Sequence, residues 1–442
     1  MMKLAVIFES SPFDRKGLFN AVHNRVKHLV GECTVDVYCV HSRDNALTRK
    51  LRHTPSVPDV DTVSIDGITY NMIWYRFSML DYALLEKLHV RPWLFKRFME
   101  AHVGVLKGYD AVIAHSFTGA LFAHRAHELY GVPYYVTWHG SDVHTHPWRV
   151  PVILEDTKAV MDAARCNFFV SKALMKVSDN ITLDARKEVL YNGVSEDFVE
   201  FPSAEKAAVR ERYGLAPEDR VVAFVGNLVT VKNVMVLPEL FARIAAGYSE
   251  RAGSLKFWVV GDGKLRAALE SAFIQHGFQL TFQSAVSDSF RQNEVSGEIR
   301  LFGNVPSTDM PAIMNCVDLL VLPSLNEGLP LVCAEALRCG ANVVGSDVGG
   351  ISEVIGRDNV VPLGDAFVDT LAEKALSHLS PRSVPATSDP DSVHGAHPQS
   401  LSEDFSWSRT AARTDRMTSQ SLSEDFSWSR TAARELDFLK EL

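Results

Sequence analysis

The segment Asp318–Gly340 constrains the fold more strongly than any other part of the chain. It opens with Asp318–Pro323 (DLLVLP), a short apolar run typical of a buried parallel strand. A polar loop follows, and we predict a helix from Leu329–Pro330, because proline suits a first turn where an N–H would have no partner. A buried strand, a loop and a helix in this order predict an α/β domain built on a parallel sheet.

The same segment combines two carboxylates with a site for an anion. Glu327 lies in the loop, and Glu335 follows eight residues later, about two turns inside the predicted helix. The first turn of a helix has N–H groups without internal partners and carries partial positive charge, so it can hold a phosphate. A diphosphate between two hydroxyl-rich rings, as in a sugar nucleotide, would match this chemistry. The alternative is an ordinary strand–loop–helix unit with two solvated glutamates.

Composition narrows the class of protein. The 442 residues are enough for two or three domains, and 46% apolar with 22% charged residues is typical of a globular protein. A net charge of −9 argues against a general nucleic-acid binder. The six cysteines lack metal-ligand spacing, which indicates free thiols in a reducing compartment. No apolar run reaches the roughly 18 residues of a membrane span. We therefore expect a cytoplasmic protein, with any membrane contact peripheral at the inner face.

The first half of the chain alternates predicted strands and helices. We predict strands at Lys3–Phe8, Val35–Val40, Asp110–Ala114, Pro133–Thr137 and Asn167–Val170, and helices at Leu18–Val30, Phe117–Tyr130 and Val152–Ala164. The segments Ser64–Tyr70 and Met72–Phe77 predict a hairpin or two short strands, with turns at Asp66-Gly67 and at Asn71. Residues 41–62 are polar and proline-containing, and are interpreted as an excursion.

Residues 88–107 form a predicted helix that starts after Pro92 and carries both basic and aromatic side chains. Such a helix could lie on an anionic membrane surface that presents a lipid-linked acceptor. The simpler interpretation, which we favour, is an amphipathic helix with its apolar face packed on the sheet.

A histidine follows the predicted strand Pro133–Thr137, in the sequence Trp138-His139-Gly140-Ser141-Asp142. Ligands of open α/β sheets bind at the carboxyl ends of the strands, where an imidazole can donate to a hydroxyl or a phosphate oxygen. A structural histidine is the alternative. His144 and His146 raise a metal site as a further alternative, but no carboxylate or cysteine completes a ligand set.

The second half repeats the strand–helix rhythm. We predict strands at Arg220–Val225, Leu255–Val260, Arg300–Phe302 and Asn342–Gly345, and helices at Val234–Ala246 and Ala366–Leu379. Residues 283–298 are polar and are interpreted as a loop insertion. Gly261-Asp262-Gly263 permits close backbone approach but is not a dinucleotide fingerprint, because position 266 is arginine.

The tail contains a duplication. Residues 381–398 are rich in proline and serine, which predicts disorder. Gln399–Arg413 (QSLSEDFSWSRTAAR) then recurs letter for letter as Gln420–Arg434. A fixed fold has one groove for such a segment, so one copy is surplus. We expect the second copy to dock, because it continues into a longer amphipathic pattern.

These motifs together resemble the retaining glycosyltransferases of family 4, also called glycosyl transferases group 1. Glu327-GLPLVCA-Glu335 resembles the Glu-x7-Glu motif of that family, and Leu301–Ile355 resembles it almost without interruption. His139-Gly140-Ser141-Asp142 resembles another signature of the family. The resemblance implies the α/β GT-B fold, with two Rossmann-like domains that face an interdomain cleft and a C-terminal helix that crosses back to the first domain.

The resemblance also implies a domain plan. Residues 1–200 form an N-terminal acceptor-binding domain, and residues 201–380 form a C-terminal domain that binds the nucleotide sugar. Residues 381–419 form a tail with the first copy of the duplicated segment, and residues 420–442 supply the crossover helix. The boundary falls near Phe201-Pro202-Ser203, after the Asn192-Gly193 turn.

Individual roles follow from the resemblance. Glu327 binds the donor sugar, Glu335 the nucleotide ribose, and His139 contacts the donor sugar. Lys232 and the backbone N–H groups of Gly328–Leu331 stabilise the departing diphosphate, which is an electrostatic effect on developing charge. Asn227 occupies the place where most members have arginine, which removes one charge from the phosphate site. The predicted donor-binding residues are Gly17, Gly226, Asn227, Lys232, Gly261, Val305, Asn326, Glu327, Gly328, Leu329, Pro330, Leu331 and Glu335.

The predicted function is transfer of a sugar, with retained anomeric configuration, from a nucleotide diphosphate sugar to an acceptor hydroxyl. A UDP-sugar is the default donor, and cell-envelope, exopolysaccharide or glycolipid assembly is the default setting. We expect no cofactor and no essential metal. A sugar-nucleotide epimerase on the same fold and a catalytically silent sugar-nucleotide-binding protein are the alternatives. A sugar, a lipid-linked acceptor and a small molecule all stay open as the acceptor.

Overall fold

The computed structural model of the chain describes residues 1–13, 17–43, 57–75, 79–248, 254–282, 297–379 and 426–440. These residues divide into two units. The first comprises the described residues within 1–195, 327–331 and 425–442, and the second comprises those within 196–326 and 332–424. The predicted insertion 283–298 and the first copy of the repeat lie wholly or largely outside the described residues.

The first unit is built on an eight-stranded sheet. Its strands are β1 (Lys3–Glu9), β2 (Thr34–Ser42), β3 (Thr62–Ile65), β4 (Ile68–Tyr75), β5 (Ala111–His115), β6 (Tyr134–Trp138), β7 (Cys166–Phe169) and β8 (Lys187–Val189). They lie in the order β3-β4-β2-β1-β5-β6-β7-β8. All neighbours are parallel except β3 and β4, which form an antiparallel hairpin.

Helices cover both faces of this sheet. They are α1 (Gly17–Leu29), α2 (Met79–Leu88), α3 (Trp93–His102), α4 (Ser116–Tyr130), α5 (Ser141–His144), α6 (His146–Arg149), α7 (Pro151–Ala163) and α8 (Lys172–Ser178). In β1, Leu4, Val6 and Phe8 enter one core, whereas Ala5 and Ile7 enter the other. Burial on both faces explains why the parallel strands appear in the sequence as continuous apolar runs rather than as alternating patterns.

Two local predictions in this unit are wrong. Asn71 is not a turn residue: it lies inside β4 and its side chain donates to the Val37 carbonyl on β2. The hairpin turns at Asp66-Gly67 alone, where both residues have positive φ. The helix predicted over residues 88–107 spans only Trp93–His102, and a short 3₁₀ helix follows at Val103–Leu106.

Helix α3 packs its apolar face on the sheet, which is the interpretation that we favoured from the sequence. Phe95 and Phe98 contact the core, and their rings lie 5.6 Å and 5.8 Å from the ring of Tyr75 on β4. The preceding helix α2 was missed in the sequence. Trp93 stays 61% exposed, with the Arg97 guanidinium over its ring.

The second unit is built on a seven-stranded parallel sheet. Its strands are β9 (Arg220–Val225), β10 (Leu255–Val260), β11 (Gln279–Phe282), β12 (Glu298–Gly303), β13 (Leu319–Leu322), β14 (Asn342–Ser346) and β15 (Val360–Val361). They lie in the order β11-β12-β10-β9-β13-β14-β15. Most side chains of strands β9, β10 and β13 are buried, as their apolar sequences predict.

The helices of the second unit connect these strands. They are α9 (Ser203–Arg212), α10 (Leu237–Gly247), α11 (Arg266–Gln275), α12 (Met310–Cys316), α13 (Leu331–Arg338), α14 (Ile351–Ile355) and α15 (Phe367–Ser377). Helix α13 begins at Leu331 rather than at Leu329–Pro330, so Glu335 lies just over one turn inside it, not two. The predicted two-domain, Rossmann-like α/β class is confirmed.

The last described helix, α16 (Trp428–Leu439), belongs to the first unit; it begins in the second copy of the repeat and continues past the end of that copy at Arg434. The Ser427 side chain caps its first turn by accepting from the Arg430 N–H. Trp428 is buried against Gly193, where a Cβ would lie 2.3 Å from the Trp428 nitrogen. Leu436 and Leu439 enter the core beside α1.

Candidate functional site

Each sheet has a point at which successive connections leave in opposite directions. In the first sheet this switch point lies between β1 and β5, and in the second between β9 and β13. Ligands of open α/β sheets bind outside the carboxyl ends of the strands at such points. The residues just after these four strands therefore define a candidate site on each unit.

A pair of histidines occupies the edge of the first sheet. His115 ends β5 and His139 follows β6, with His115 Nδ1 and His139 Nε2 3.1 Å apart, so that one ring donates to the other. Burial and the positive charge of Arg25 lower the pKa of His139 to about 3 and lower the pKa of His115 as well. Both imidazoles are therefore neutral at physiological pH, and His139 can offer a hydrogen bond but not a charge.

Asp142 shapes the backbone around His139. Its buried carboxylate accepts from the Gly140 N–H at 2.8 Å and from the His139 N–H at 3.2 Å. Burial raises the pKa of Asp142 to about 6. Gly140 has φ +150°, a conformation that side chains rarely adopt. The sequence His139-Gly140-Ser141-Asp142 is thus a tight turn that fixes the direction of the His139 ring.

The loop Glu327–Leu331, which groups with the first unit, rests on this turn. A Cβ on Gly328 would lie 2.1 Å from the His139 carbonyl oxygen, so only glycine fits. Leu329 packs on the first-unit core, and the Glu327 backbone accepts a hydrogen bond from His144. The structure therefore brings His139, Glu327, Gly328 and Leu329 together, whereas Pro330 is buried and Leu331 starts α13.

Glycines let three loops meet at the edge of the second sheet. The Gly226 N–H donates to the Val260 carbonyl at 2.9 Å, and the Gly261 N–H donates to the Gly303 carbonyl at 2.8 Å. A Cβ on Gly261 would lie 2.0 Å from the Gly226 oxygen. Gly226 and Gly261, both predicted as donor-binding, thus have a structural reason to be glycine in addition to any contact with a ligand.

Lys232 and Asn326 lie on loops that are joined by their neighbours, since the Leu325 N–H donates to the Val231 carbonyl at 2.8 Å. Lys232 ends a 3₁₀ turn, Thr230–Lys232, and is half-buried, whereas Asn227 is exposed. Val305 follows β12 by two residues and is half-buried. These residues share the carboxyl edge of the second sheet.

Glu335 is the most unusual carboxylate of the second unit. It is half-buried on α13, and among the described residues its carboxylate has no hydrogen-bond or ion-pair partner. Burial raises its pKa to about 7, from an ordinary 4.5. A half-buried carboxylate without a partner in the described part of the chain can accept hydrogen bonds from a ligand that donates hydroxyl hydrogens.

Several polar residues at the first edge were not predicted from the sequence. Glu9, which ends β1, accepts hydrogen bonds from the hydroxyls of Tyr75 and Thr118. His115 and the buried Arg25 also went unnoticed. Glu9 and His115 directly follow the predicted strands Lys3–Phe8 and Asp110–Ala114, so their position could have revealed them, whereas nothing in the sequence singles out Arg25. Predicted Gly17 is exposed at the start of α1, and its Cβ would meet no atom within 4 Å.

The metal alternative receives no support from the described residues. His146 lies edge-on to the Phe117 ring at 5.1 Å, and His144 is engaged with Glu327. Asp59 and Asp61 have the alternate spacing of paired metal ligands, but Asp59 is in an ion pair with Arg43. Within the described ranges, no three His, Cys, Asp or Glu side chains converge as a metal site.

Two Rossmann-like units with a switch point each, a Glu-x7-Glu element and a helix returning from the C-terminus define the GT-B class of α/β protein. Comparison with known families agrees. Residues 219–380 match the family described as glycosyl transferases group 1, and residues 20–193 match the glycosyl transferase 4-like domain. The chain belongs to the group 1 glycosyltransferase family.

Known sequences show where the similarity lies. The chain is 27% identical over 242 residues to the putative teichuronic acid biosynthesis glycosyltransferase TuaC of Bacillus subtilis, covering 55% of this chain and 54% of TuaC. It is 28% identical over 324 residues to the D-inositol 3-phosphate glycosyltransferase of Salinispora arenicola, covering 69% and 67% respectively. A 2-deoxystreptamine glucosyltransferase of Streptomyces kanamyceticus is 27% identical, over 52% of this chain and 57% of that enzyme. The chain thus spans little more than half of two of these relatives.

Solved structures share the fold at low identity. Sucrose-phosphate synthase from Thermosynechococcus elongatus superposes with a TM-score of 0.68 and 15% identity, over 100% of this chain and 99% of that one. The Anabaena protein HepE, solved in complex with UDP, superposes with a TM-score of 0.66 and 14% identity over the whole of both chains.

Proposed function

We propose that this protein is a retaining glycosyltransferase that moves a sugar from a UDP-sugar to an acceptor hydroxyl. The observation that carries the proposal is the half-buried Glu335 carboxylate, which lacks a partner among the described residues at a sheet edge that also carries Lys232. A ribose with two hydroxyls matches the first group, and a diphosphate matches the second. Family membership supports this reading, and HepE, described with UDP and UDP-glucose, supports the choice of donor.

The proposed roles divide the donor between these groups. Glu335 accepts from the ribose hydroxyls, Val305 meets the nucleobase through its backbone, and Glu327 binds the donor sugar. The Lys232 ammonium and the backbone N–H groups of Gly328, Leu329 and Leu331 stabilise the charge that develops on the departing diphosphate. Asn227 is uncharged, so this diphosphate site has one cation fewer than it would have with arginine at position 227.

His139 is proposed to donate a hydrogen bond to the donor sugar as a neutral imidazole. The low pKa of its ring keeps this donor role constant across physiological pH. No described side chain at the site is placed as an obvious covalent nucleophile, and the leaving phosphate can itself take the acceptor proton. A front-face displacement on the sugar therefore fits best, and neither a cofactor nor an essential metal is required by these roles.

The deciding experiment measures nucleotide release from a panel of UDP-, GDP- and ADP-sugars by the wild type, Glu335→Ala, Lys232→Ala and Glu327→Ala. We expect slow hydrolysis of one donor and a loss of about a hundredfold or more in each variant. Glu373→Ala, which removes an exposed helical glutamate of the second unit, is the matched control and should retain full activity. No release and no calorimetric binding of any donor would refute the transferase.

Product analysis without an acceptor separates the alternative functions, and NMR of the product tests the stereochemistry. An epimerase would change the donor sugar without an acceptor and release free nucleotide, whereas a silent binding protein would bind a nucleotide sugar without turnover. Proton NMR of the transferred anomeric centre reports the stereochemistry: an α-linked donor that gives an α-linked product supports retention. An inverted product would contradict the proposed mechanism.

The setting is also a proposal. The name of TuaC associates that relative with teichuronic acid, which supports a role in cell-envelope or exopolysaccharide assembly. No helix within the described ranges has the length and apolar character needed to cross a membrane. We propose a cytoplasmic enzyme that touches the inner membrane face peripherally.

The surface around α3 supports that contact. Leu88, Val90, Trp93 and Leu94 are between 41% and 66% exposed, and Lys87, Lys96 and Arg97 are exposed among them. Apolar side chains with cations between them suit an anionic lipid surface. In a flotation assay with phosphatidylglycerol vesicles in which about one lipid in three is anionic, the wild type should float with the vesicles. The variant Trp93→Ala/Leu94→Ala should float less. Equal behaviour would refute the contact.

A further inference from the structure

Arg25 is a charged residue in an unexpected place. It lies on α1, and its side chain is only 1% exposed. Its Nη1 donates to Thr137 Oγ1 at 2.9 Å and to Glu435 at 3.4 Å. Its Nη2 donates to Asn192 Oδ1 at 3.1 Å and to the Leu190 carbonyl at 3.4 Å. The guanidinium thus joins α1, β6, the segment after β8 and the tail helix α16.

Burial of this pair is costly, and the pair is not perfectly satisfied. Glu435 is also 1% exposed, and neither Arg25 Nε nor Glu435 Oε2 has a hydrogen-bond partner among the described residues. Burial lowers the pKa of Arg25 and raises the pKa of Glu435. Apolar residues of similar size often replace such pairs without loss of stability. Stability alone therefore gives no reason for a charged pair here.

The position of Arg25 relative to the candidate site supplies a reason for the charged pair. Thr137, its hydrogen-bond partner, lies near the end of β6 and precedes His139 by two residues. The positive charge of Arg25 acts on both His139 and His115. His115 from β5 contacts the His139 ring, Asp142 holds the His139 backbone, and Gly328 lies against the His139 carbonyl oxygen.

We propose that Arg25, held by Glu435 of the tail helix, is a positioning residue that fixes the orientation of His139 for the transfer reaction. The inference rests on the proposed function in so far as His139 serves the donor. The tail helix then contributes to turnover and not only to folding. The guanidinium anchors the end of β6 through Thr137, and the carboxylate of α16 keeps the guanidinium in that place.

The duplication in the tail is consistent with this role for Glu435. The repeat ends at Arg434 in the second copy and at Arg413 in the first. The next residue is Glu435 after the second copy but Thr414 after the first. Two otherwise identical segments therefore differ at the residue that reaches Arg25, so only the second copy can complete the network.

The main test variant is Arg25→Met/Glu435→Leu, which replaces the ion pair by apolar residues of similar volume. We expect a folded protein with a donor KM within about twofold of wild type and a kcat lowered about tenfold or more, because misplacement of a contact group slows the chemical step. Arg434→Ala is the control: Arg434 lies on the same helix as Glu435, its exposed ion pair with Glu188 of β8 is removed, and neither constant should change. Arg25→Lys keeps the charge but loses the planar set of guanidinium N–H donors, so its kcat should lie between those of the double variant and the wild type.

A spectroscopic measurement tests the same inference without any activity. In protein labelled with ¹⁵N-histidine, the ring resonances of His139, assigned with His139→Gln, report its tautomer and its hydrogen bond to His115. These resonances should shift or double in Arg25→Met/Glu435→Leu and stay unchanged in Arg434→Ala. If the wild type transfers no sugar, the proposed function fails, yet this measurement still decides whether Arg25 orders His139.

The contradicting result is equally definite. A folded double variant with wild-type kcat and wild-type His139 resonances would overturn the proposal. If the double variant does not fold, Glu435→Gln, which keeps the shape and removes the charge, is measured in its place. Unchanged kcat and resonances in that variant would overturn it as well.

Discussion

At the scale of single residues, Gly261 shows how closely the loops of the second sheet approach one another. It has φ +131°, and a Cβ would lie 2.0 Å from the Gly226 oxygen. Gly261→Ala must therefore strain its own backbone and displace the Gly226 loop. We expect a loss of at least about 2 kcal/mol in the free energy of unfolding, measured by urea denaturation.

Gly277→Ala is the matched control for this change. Gly277 has φ +84°, but nothing lies within 4 Å of its Cβ position. Its loss should reflect backbone conformation alone, about 1 kcal/mol. Equal losses at the two positions would show that the Gly226 contact does not constrain Gly261.

Glu335 should weaken the fold while it serves the ligand. Because burial raises its pKa to about 7, the folded state is penalised for the ionised carboxylate above pH 7 and not below about pH 4. Glu335→Gln should therefore have a free energy of unfolding up to about 3 kcal/mol higher than wild type at pH 8, measured by urea denaturation. At pH 4 the two proteins should be equally stable. Donor affinity should fall in the same variant.

The exposed Glu373→Gln should show neither effect. A Glu335→Gln protein that is no more stable than wild type at pH 8 would mean that the carboxylate is hydrated in the folded protein. In that case its lack of a partner would not identify it as a ligand group.

At the scale of helices and strands, the sequence was most informative where both faces of a strand are buried. The strands Arg220–Val225 and Leu255–Val260 were predicted to the residue. An uninterrupted apolar run fits a central parallel strand and little else. The edge strand β11 (Gln279–Phe282) was missed, because most of its side chains are exposed and its sequence QLTF has no comparable signal.

The candidate site divides in the same way. The positions of Glu327, Lys232 and His139 after strands of a parallel sheet were predictable from the sequence. Their roles, and that of Glu335, follow from the family resemblance and stay predictions. Arg25 was not predictable, because a single arginine in an amphipathic helix usually faces water. Its burial depends on Glu435, which lies 410 positions later in the chain. Contacts of such long range cannot be inferred from local periodicity.

An element-scale prediction concerns the entry into the second unit. Asn315 on α12 is fully buried, and its Nδ2 donates to the carbonyls of Val199 and Pro311, each at 2.9 Å. Its Oδ1 accepts from the Phe201 N–H at 2.8 Å. Asn315→Ala would leave the backbone before α9 without partners. We expect a loss of about 3 kcal/mol by urea denaturation.

Asn342→Ala is the comparison for Asn315. Asn342 is half-buried and donates one long bond, 3.5 Å, to the His378 carbonyl. Its loss should stay below about 1 kcal/mol. If the two variants lose equal stability, the three bonds of Asn315 do not hold the segment before α9.

At the scale of the whole molecule, the contacts of α16 show which part of the tail carries information. The repeat supplies the first turns: Thr431 donates to the Tyr191 carbonyl at 2.7 Å, and Phe426 packs on the Tyr191 ring at 5.2 Å. The residues after the repeat supply the end of the helix. The Phe438 carbonyl accepts from Tyr135, the Phe438 ring meets Phe168 at 5.1 Å, and Leu439 is buried.

Two deletions of equal length separate these contributions. Deletion of residues 399–419 removes the first copy and keeps Glu435–Lys440 (ELDFLK) after the second. Deletion of residues 420–440 keeps the first copy followed by Thr414–Ser419 (TDRMTS). The resulting chains differ only in those six residues. The first chain should match the full-length protein in midpoint of thermal unfolding and in turnover, because every contact of α16 is retained.

The second chain should lose both stability and turnover. Asp415 and Thr418 would stand where Leu436 and Leu439 enter the core, and Thr414 would leave the Arg25 guanidinium without its carboxylate. Loss of two buried leucines costs about 2 kcal/mol or more each, so the midpoint should fall by several degrees. Restoring Glu alone, with Thr414→Glu in this chain, should recover part of kcat but little of the midpoint. Equal behaviour of the two deletion chains would show instead that the repeated fifteen residues, which the copies share, are sufficient to dock the tail.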